Sequence, residues 1–379
     1  MKKSANNRWE KRPTVNTNDI YSVPSNGTIY SPFSFKIDPM EQLILVNFEK
    51  DPDEFYNIFE FQQACDKIGK KYFLVIAYRN DGASDVYYQA GFPFGSQESV
   101  LNSASFFVRP LEKAKFEVDS DSLDVSFVFE DKIGREIKVR VNERNRQNKE
   151  PFFLLAPIGA ISKTPVSLPV YSLYEISFAK QKYTDIEIVI GKVKHKPDTF
   201  PMPIERSRNY FTRYSADTFN VDWNSNFNGP LSPLTHACNS KIEDNATTYE
   251  IEENSGHCEI RRMSTKNKKH MIAIDFHPAI PDIVSLRQEA DINGTFSIST
   301  DHTAGSLHGN YKIRRVDNDI DFEIHPTGGW EPNESRLVLK IVFFVVKIFK
   351  EWPKSYVWNA KIRLDESGEP VMQSGWKRL

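Results

Sequence analysis

Short segments in which apolar and polar residues alternate recur along almost the whole chain, and they restrict it to β architecture. In "LDVSFVFE" Leu123, Val125, Phe127 and Phe129 share one face, and in "REIKVRVNE" Ile137, Val139 and Val141 do the same. Successive side chains of a strand point to opposite sides, so these are half-buried strands. Between them lies "DKIG", with Gly134 placed to take the positive φ of a hairpin connection. The motif also occurs earlier, where "FYNIFEFQQAC" leads into "DKIGK" (Asp66 to Lys70) and "KYFLVIAYR" leads out. A phosphate cradle would need glycines opening into a helix, with a Lys–Ser/Thr pair or further glycines. Neither copy has these, so both read as turns.

Further strands are expected in "SDVYYQAGF", "ASFFVRP", "KAKFEVD", "FFLLAPIG", "YSLYEISFA" and "TDIEIVIGKV", then from "NYFTRYS" through "KHMIAIDFH", "IVSLRQEAD", "GTFSIST" and "DIDFEIHP" to "PVMQSGWKRL". Many short strands separated by turn signals indicate sandwiches or barrels. With 379 residues the chain exceeds what one core usually fills. Three prolines interrupt the strand pattern within residues 194–208, which divides the chain into a polar arm (1–40), a first domain (41–205) and a second (206–379). One segment breaks the β pattern. In "ESRLVLKIVFFVVKIFKEW" the charged residues Arg336, Lys340, Lys347 and Glu351 fall on one helical face, which predicts a helix packed on a barrel wall, with the β-branched content arguing for a long strand instead.

The formal net charge is −2, so no global field draws the chain to nucleic acid or to an anionic membrane. The opening "MKKSANNRWEKRPTVNTND" has no apolar stretch behind its basic residues, and three cysteines are an odd number, which argues against a disulfide framework. A cytoplasmic location is the expectation. The longest apolar run carries Lys340 and Lys347 and is shorter than the roughly 20 residues a membrane span needs. No "GxSxG" elbow is present, and no cysteine sits in a nucleophile motif.

The stretch "EFYNIFEFQQACDKIGKKYFLVIAYR" resembles the first hairpin of the AttH-like, carotenoid-hydratase-like (hydroxyneurosporene synthase) family of tandem lipocalin-like barrels. In that family a Glu–aromatic–aromatic start leads through an acidic–Gly–basic turn into an apolar strand ending near an arginine. Glu54, Phe55, Tyr56, Asp66, Gly69, Lys70 and Arg79 hold the matching positions. The family's paired tryptophans and following tyrosine are here Phe55, Tyr56 and Asn57. The resemblance implies two calycin-like barrels, and a barrel of about eight strands either fills with side chains or holds one small apolar ligand. The fold class expected is therefore all-β, with two lipocalin-like antiparallel barrels in tandem and a late helix.

All eight histidines lie at or beyond His195. On "HMIAIDFH" Asp275 and His277 share the face opposite Ile272, Ile274 and Phe276; on "DIDFEIH" Glu323 and His325 lie opposite Phe322 and Ile324. If these faces lined a lumen, the carboxylates and imidazoles would converge on a ligand. The candidate acid–base residues are accordingly Asp275, His277 and His325, supported by Glu323 and His308; the alternative is that these faces are solvated. A zinc set from His236, Cys238, His257 and Cys258 is disfavoured, because neighbouring strand residues point to opposite sides. The aromatics Tyr72, Phe73, Tyr87, Tyr88, Phe106 and Phe107 are cavity candidates or plain core, and Trp330 beside two glycines is a candidate cover for a cavity mouth. The expected function is binding of a lipophilic, isoprenoid-like small molecule, with hydration, dehydration or isomerisation that needs no cofactor or metal. A carrier without turnover and a carbohydrate-binding β-sandwich are the alternatives.

Overall fold

The computed structural model describes residues 20–23, 27–66, 68–95, 104–146, 149–157, 165–204, 206–235, 240–300, 305–365 and 368–379. Three large sheets, antiparallel apart from one pair, make up most of the chain. A nine-stranded sheet runs in the spatial order Phe152–Ala156, Leu168–Lys180, Asn209–Trp223, Met40–Asn47, Tyr56–Cys65, Lys71–Arg79, Ser84–Tyr88 and Ser105–Val108, with Phe35–Asp38 also paired to Asn209–Trp223. A five-stranded sheet, Val193–His195, Thr184–Ile190, Glu136–Glu143, Leu123–Glu130 and Lys115–Val118, covers one face of it. The first core forms between them. Phe61 stacks on Phe127 with centroids 4.6 Å apart, and Phe59, Val75, Val139 and Ile188 fill the space around that pair.

The second core lies on a ten-stranded sheet that begins at Phe227–Pro230, continues through Pro370–Arg378, Tyr356–Leu364, Asp319–Pro326, Ser306–Val316, Asp291–Ser299, Met271–Ile280, His257–Lys266 and Thr247–Asn254, and ends at Lys241–Asp244. Among the described residues no sheet closes on itself; each keeps two edges. The expectation of mostly antiparallel β structure holds, and barrel closure is not seen in the hydrogen bonding. The alternating faces read from sequence are the buried ones: Ile272, Ile274 and Phe276 point inward, as do Phe322 and Ile324.

One long strand belongs to both cores, and its neighbour extends the second. Asn209–Trp223 gives Tyr214 to the first core and Phe219, Val221 and Trp223 to the second, while Leu168–Lys180 gives Leu168, Val170 and Tyr174 to the second. The proline-broken stretch 194–208 precedes the longest strand of the first sheet rather than ending that sheet. Nor is the described part of the first forty residues peripheral. Ile29, Phe33 and Phe35 are buried in the second core, where Phe33 stacks on Phe276 at 5.1 Å.

Both "DKIG" segments are hairpin turns. Gly69 has φ +84° and Gly134 has φ +83°, and the aspartate before each accepts backbone N–H groups with Oδ1 at 2.9 Å, from Ile68 and Lys70 in the first and from Ile133 and Arg135 in the second. The late helix is two helices, Leu337–Val345 and Lys347–Glu351, with Val346 extended between them. The β-branched run Ile341, Val342, Val345, Val346 and Ile348 restricts χ1 and lowers helix propensity, and neither N-terminus has a side-chain cap. "IVSLRQEAD" is mostly turn rather than strand; its apolar Ile283, Leu286 and Ala290 are buried at the edge of the second core. The cysteine expectation also changes. Cys258 is disulfide-bonded and Cys65 is free, while Cys238 lies outside the described residues. The odd cysteine count thus does not exclude a disulfide.

Candidate functional site: an apolar cavity with a polar floor

The strand Lys71–Arg79 reads as an almost unbroken apolar run because both of its faces are covered. Phe73, Val75 and Ala77 face the first core, leaving Leu74, Ile76 and Tyr78 on the other side. In its partner strand Phe59 and Phe61 face the first core, which turns Glu60 the other way. Register then aligns a row across four strands: Arg213 pairs with Leu45, Leu45 with Glu60, and Glu60 with Ile76. The helical segment from the second half roofs this face, together with Phe152–Ala156 and the loop carrying Phe200 and Met202.

Between sheet and roof lies a cavity of about 650 Å³. That is within the size range of small-molecule sites, roughly 300–1,000 Å³. Its walls are almost entirely apolar, including Leu43, Leu45, Leu173, Ile176, Phe178, Phe211, Leu339 and Phe343. The polar side chains facing it are Glu60, Tyr78 and Arg213. A second cleft of about 660 Å³, near Glu41, Lys71, Glu117 and Lys269, is walled by exposed charged side chains and offers no comparable shielding.

Within the polar floor, Tyr78 and Gln62 are both hydrogen-bonded to Glu60. Tyr78 donates its hydroxyl to Glu60 Oε2 at 2.7 Å, and Gln62 donates Nε2 to Glu60 Oε1 at 2.6 Å. Burial pushes the Tyr78 phenol well above the usual tyrosine range, and the Glu60 charge and hydrogen bond add to it, so Tyr78 stays a proton donor. Burial lowers the pKa of the Arg213 guanidinium, opposed by Glu60 and Tyr78; the group remains a cation at neutral pH. It donates to Asn47 Oδ1 at 2.8 Å, and its charge lies 4.8 Å from the Phe211 ring centroid. A shielded carboxylate, a phenol donating to it and a fixed cation can accept a proton, return one and hold a polar ligand end, with no metal required.

None of the five acid–base candidates read from sequence borders this cavity. Asp275 is half-exposed and paired with Arg262 at 3.2 Å, and His277 and Glu323 are exposed, with Glu323 opposite Lys312 across the strand pair. His325 Nε2 lies 3.0 Å from the Lys354 carbonyl, and exposed His308 lies 2.9 Å from Ser306 Oγ. They sit on the side of the ten-stranded sheet away from the core, where Glu323 borders an open cleft of about 420 Å³ with Lys312, Arg314 and Lys361. Of the aromatics, Phe73 and Tyr87 are first-core residues, Phe107 packs on that core, and Tyr72, Tyr88 and Phe106 form a side cluster. Trp330 lies within the roof, edge-on to Phe343 at 5.0 Å and to Phe349 at 5.8 Å.

For the zinc alternative, Cys258 is committed to its disulfide, and His236 and Cys238 lie outside the described residues. His257 stacks instead on Tyr21 at 3.7 Å. Burial, with Glu41 beside it, pushes the free Cys65 thiol up to about 12, far from a reactive thiolate. Compared with protein-family models, curated proteins and solved structures, the chain matches none.

Proposed function

We propose that the cavity binds a lipophilic, isoprenoid-like small molecule and that Glu60 and Tyr78 act on it by proton transfer, in a hydration, dehydration or isomerisation. The observation that carries this reading is the meeting of an apolar enclosure with one connected polar cluster at Glu60. Glu60 itself is buried, so a proton would move between the ligand and the floor rather than to solvent. Arg213 would orient a carbonyl, hydroxyl or anionic terminus. The hairpin resembling the AttH-like family is the one that supplies Glu60 and Tyr78, and the lipocalin-like barrel reading belongs with that resemblance.

A carrier without turnover is the second reading, favoured by the hydrogen bond that each Glu60 oxygen already accepts within the protein. Carbohydrate binding fits less well, since sugars need many polar partners and the cavity offers few. Native mass spectrometry of the chain purified from its own host should show a bound lipophile. With that molecule as substrate, Glu60→Gln is expected to keep binding and lower turnover by about 10²–10⁴-fold. Turnover equal to the parent's removes Glu60 from the chemistry, and a chain that carries no lipophile and takes none up removes the reading as a whole.

A further inference from the structure

The roof of the cavity is apolar on the wrong side for a segment that only faces inward. Leu339 and Phe343 are buried, yet Leu337 is 72% exposed, Phe344 69% and Val345 67%, with Ile341, Val346 and Ile348 also exposed. Four of these exposed side chains, Ile341, Val345, Val346 and Ile348, also line the cavity, so the cavity mouth opens within the exposed apolar patch. The charges around it are mostly positive. Between residues 337 and 354 stand Lys340, Lys347, Lys350 and Lys354, all exposed, against the single carboxylate Glu351, in a chain whose net charge is −2. Lys350 Nζ lies 3.3 Å from the Phe344 ring centroid, a cation held over an exposed aromatic ring.

Resting on the reading of the cavity as a lipophile site, we propose that the Leu337–Glu351 helical segment docks on the surface of an anionic lipid bilayer, so that the ligand passes between bilayer and cavity without crossing water. The apolar side chains enter the boundary between headgroups and acyl chains, and the lysines meet the lipid phosphates and carboxylates. The contact is interfacial; no helix here is long and apolar enough to span. Long lysine stems let the charges reach the headgroups while the backbone sits lower.

The test is sedimentation of the full chain with vesicles of phosphatidylcholine, with and without phosphatidylserine. Binding is expected to the phosphatidylserine vesicles and to weaken as salt is raised. Leu337→Ser with Phe344→Ser changes exposed side chains that do not line the cavity; it is expected to lower vesicle affinity about tenfold or more with an unchanged melting curve. Lys340→Glu with Lys347→Glu should abolish the preference for anionic vesicles. Absence of binding to phosphatidylserine vesicles overturns the proposal, as does a parent dimer that the Leu337→Ser, Phe344→Ser variant converts to monomer, since a second copy would then cover this face. Vesicle binding is read without a ligand and cavity occupancy without vesicles, so failure of one is separable from failure of the other.

Discussion

The two "DKIG" turns share their backbone conformation and differ in nearly everything around it. At Asp66 the turn projects into solvent: Ile68 is 88% exposed, and the basic residue that closes it, Lys70, is exposed with its amine over the Tyr72 ring. At Asp131 the aspartate is buried, and its Oδ2 accepts Arg135 Nε at 2.9 Å. The Arg135 fork then reaches both oxygens of Asp53 at 3.0 and 2.9 Å. The next residue, Lys132, pairs with fully buried Asp85 at 2.9 Å, and its backbone N–H donates to Tyr87. Local sequence sets the turn, and the surroundings set what the turn holds together. An arginine in place of lysine at the last position adds to the difference, because its planar fork takes both Asp53 oxygens while Nε holds Asp131.

That contrast predicts a ranking. Asp131→Ala removes the acceptor of two backbone donors and one partner of a buried pair, and is expected to lower stability by about 3 kcal/mol in denaturant unfolding. A loss no larger than that at Asp66 would make the two turns equivalent. Gly69→Val and Gly134→Val should each cost about 1–2 kcal/mol, because both glycines have positive φ and open space where a Cβ would stand. Unequal losses would show that the backbones differ after all. Asp66→Ala is expected to cost about 1 kcal/mol, and Lys70→Arg less than about 0.5 kcal/mol, as a surface change.

Acid sharpens the same comparison. Burial would raise the Asp53 pKa, but the Arg135 fork and neighbouring backbone N–H groups outweigh it and hold the carboxyl below the usual range. A carboxyl with a lowered folded pKa contributes fully above its unfolded value of about 4, and the contribution is lost as pH falls through the folded value. The stability gap between the parent and Asp53→Asn should therefore be widest near neutrality and narrow below about pH 4. A gap that stays constant with pH would mean that the fork adds nothing through charge.

The turns were legible in the sequence because their chemistry is local, and most strands because alternation survives wherever one face meets water. The floor of the cavity was not, because "FEFQQAC" and "YFLVIAYR" are covered on both faces and alternation carries little signal there. A usable signal did exist. An unbroken apolar run such as "YFLVIA" implies a strand buried on both sides, and the hairpin partner's Glu60 must then be buried with it. Histidines drew attention by their chemistry, whereas burial is decided by which face each strand turns inward. The break at Val346 also went unread, since charge spacing alone suggested one continuous helix.

The fifteen residues of Asn209–Trp223 form a beam about 50 Å long, riveted by side chains at one end into the first core and at the other into the second. A protein braced this way cannot be divided and recombined like beads on a string. A cut at the proline-broken stretch leaves the whole beam with the second half, and it splits the cavity too, because the floor takes Glu60 and Tyr78 from the first half and Arg213 from the second, while the roof joins the helical segment to Phe152–Ala156. Any change in the shape of this cavity must come from residue-by-residue substitution at the wall, with the two halves kept together.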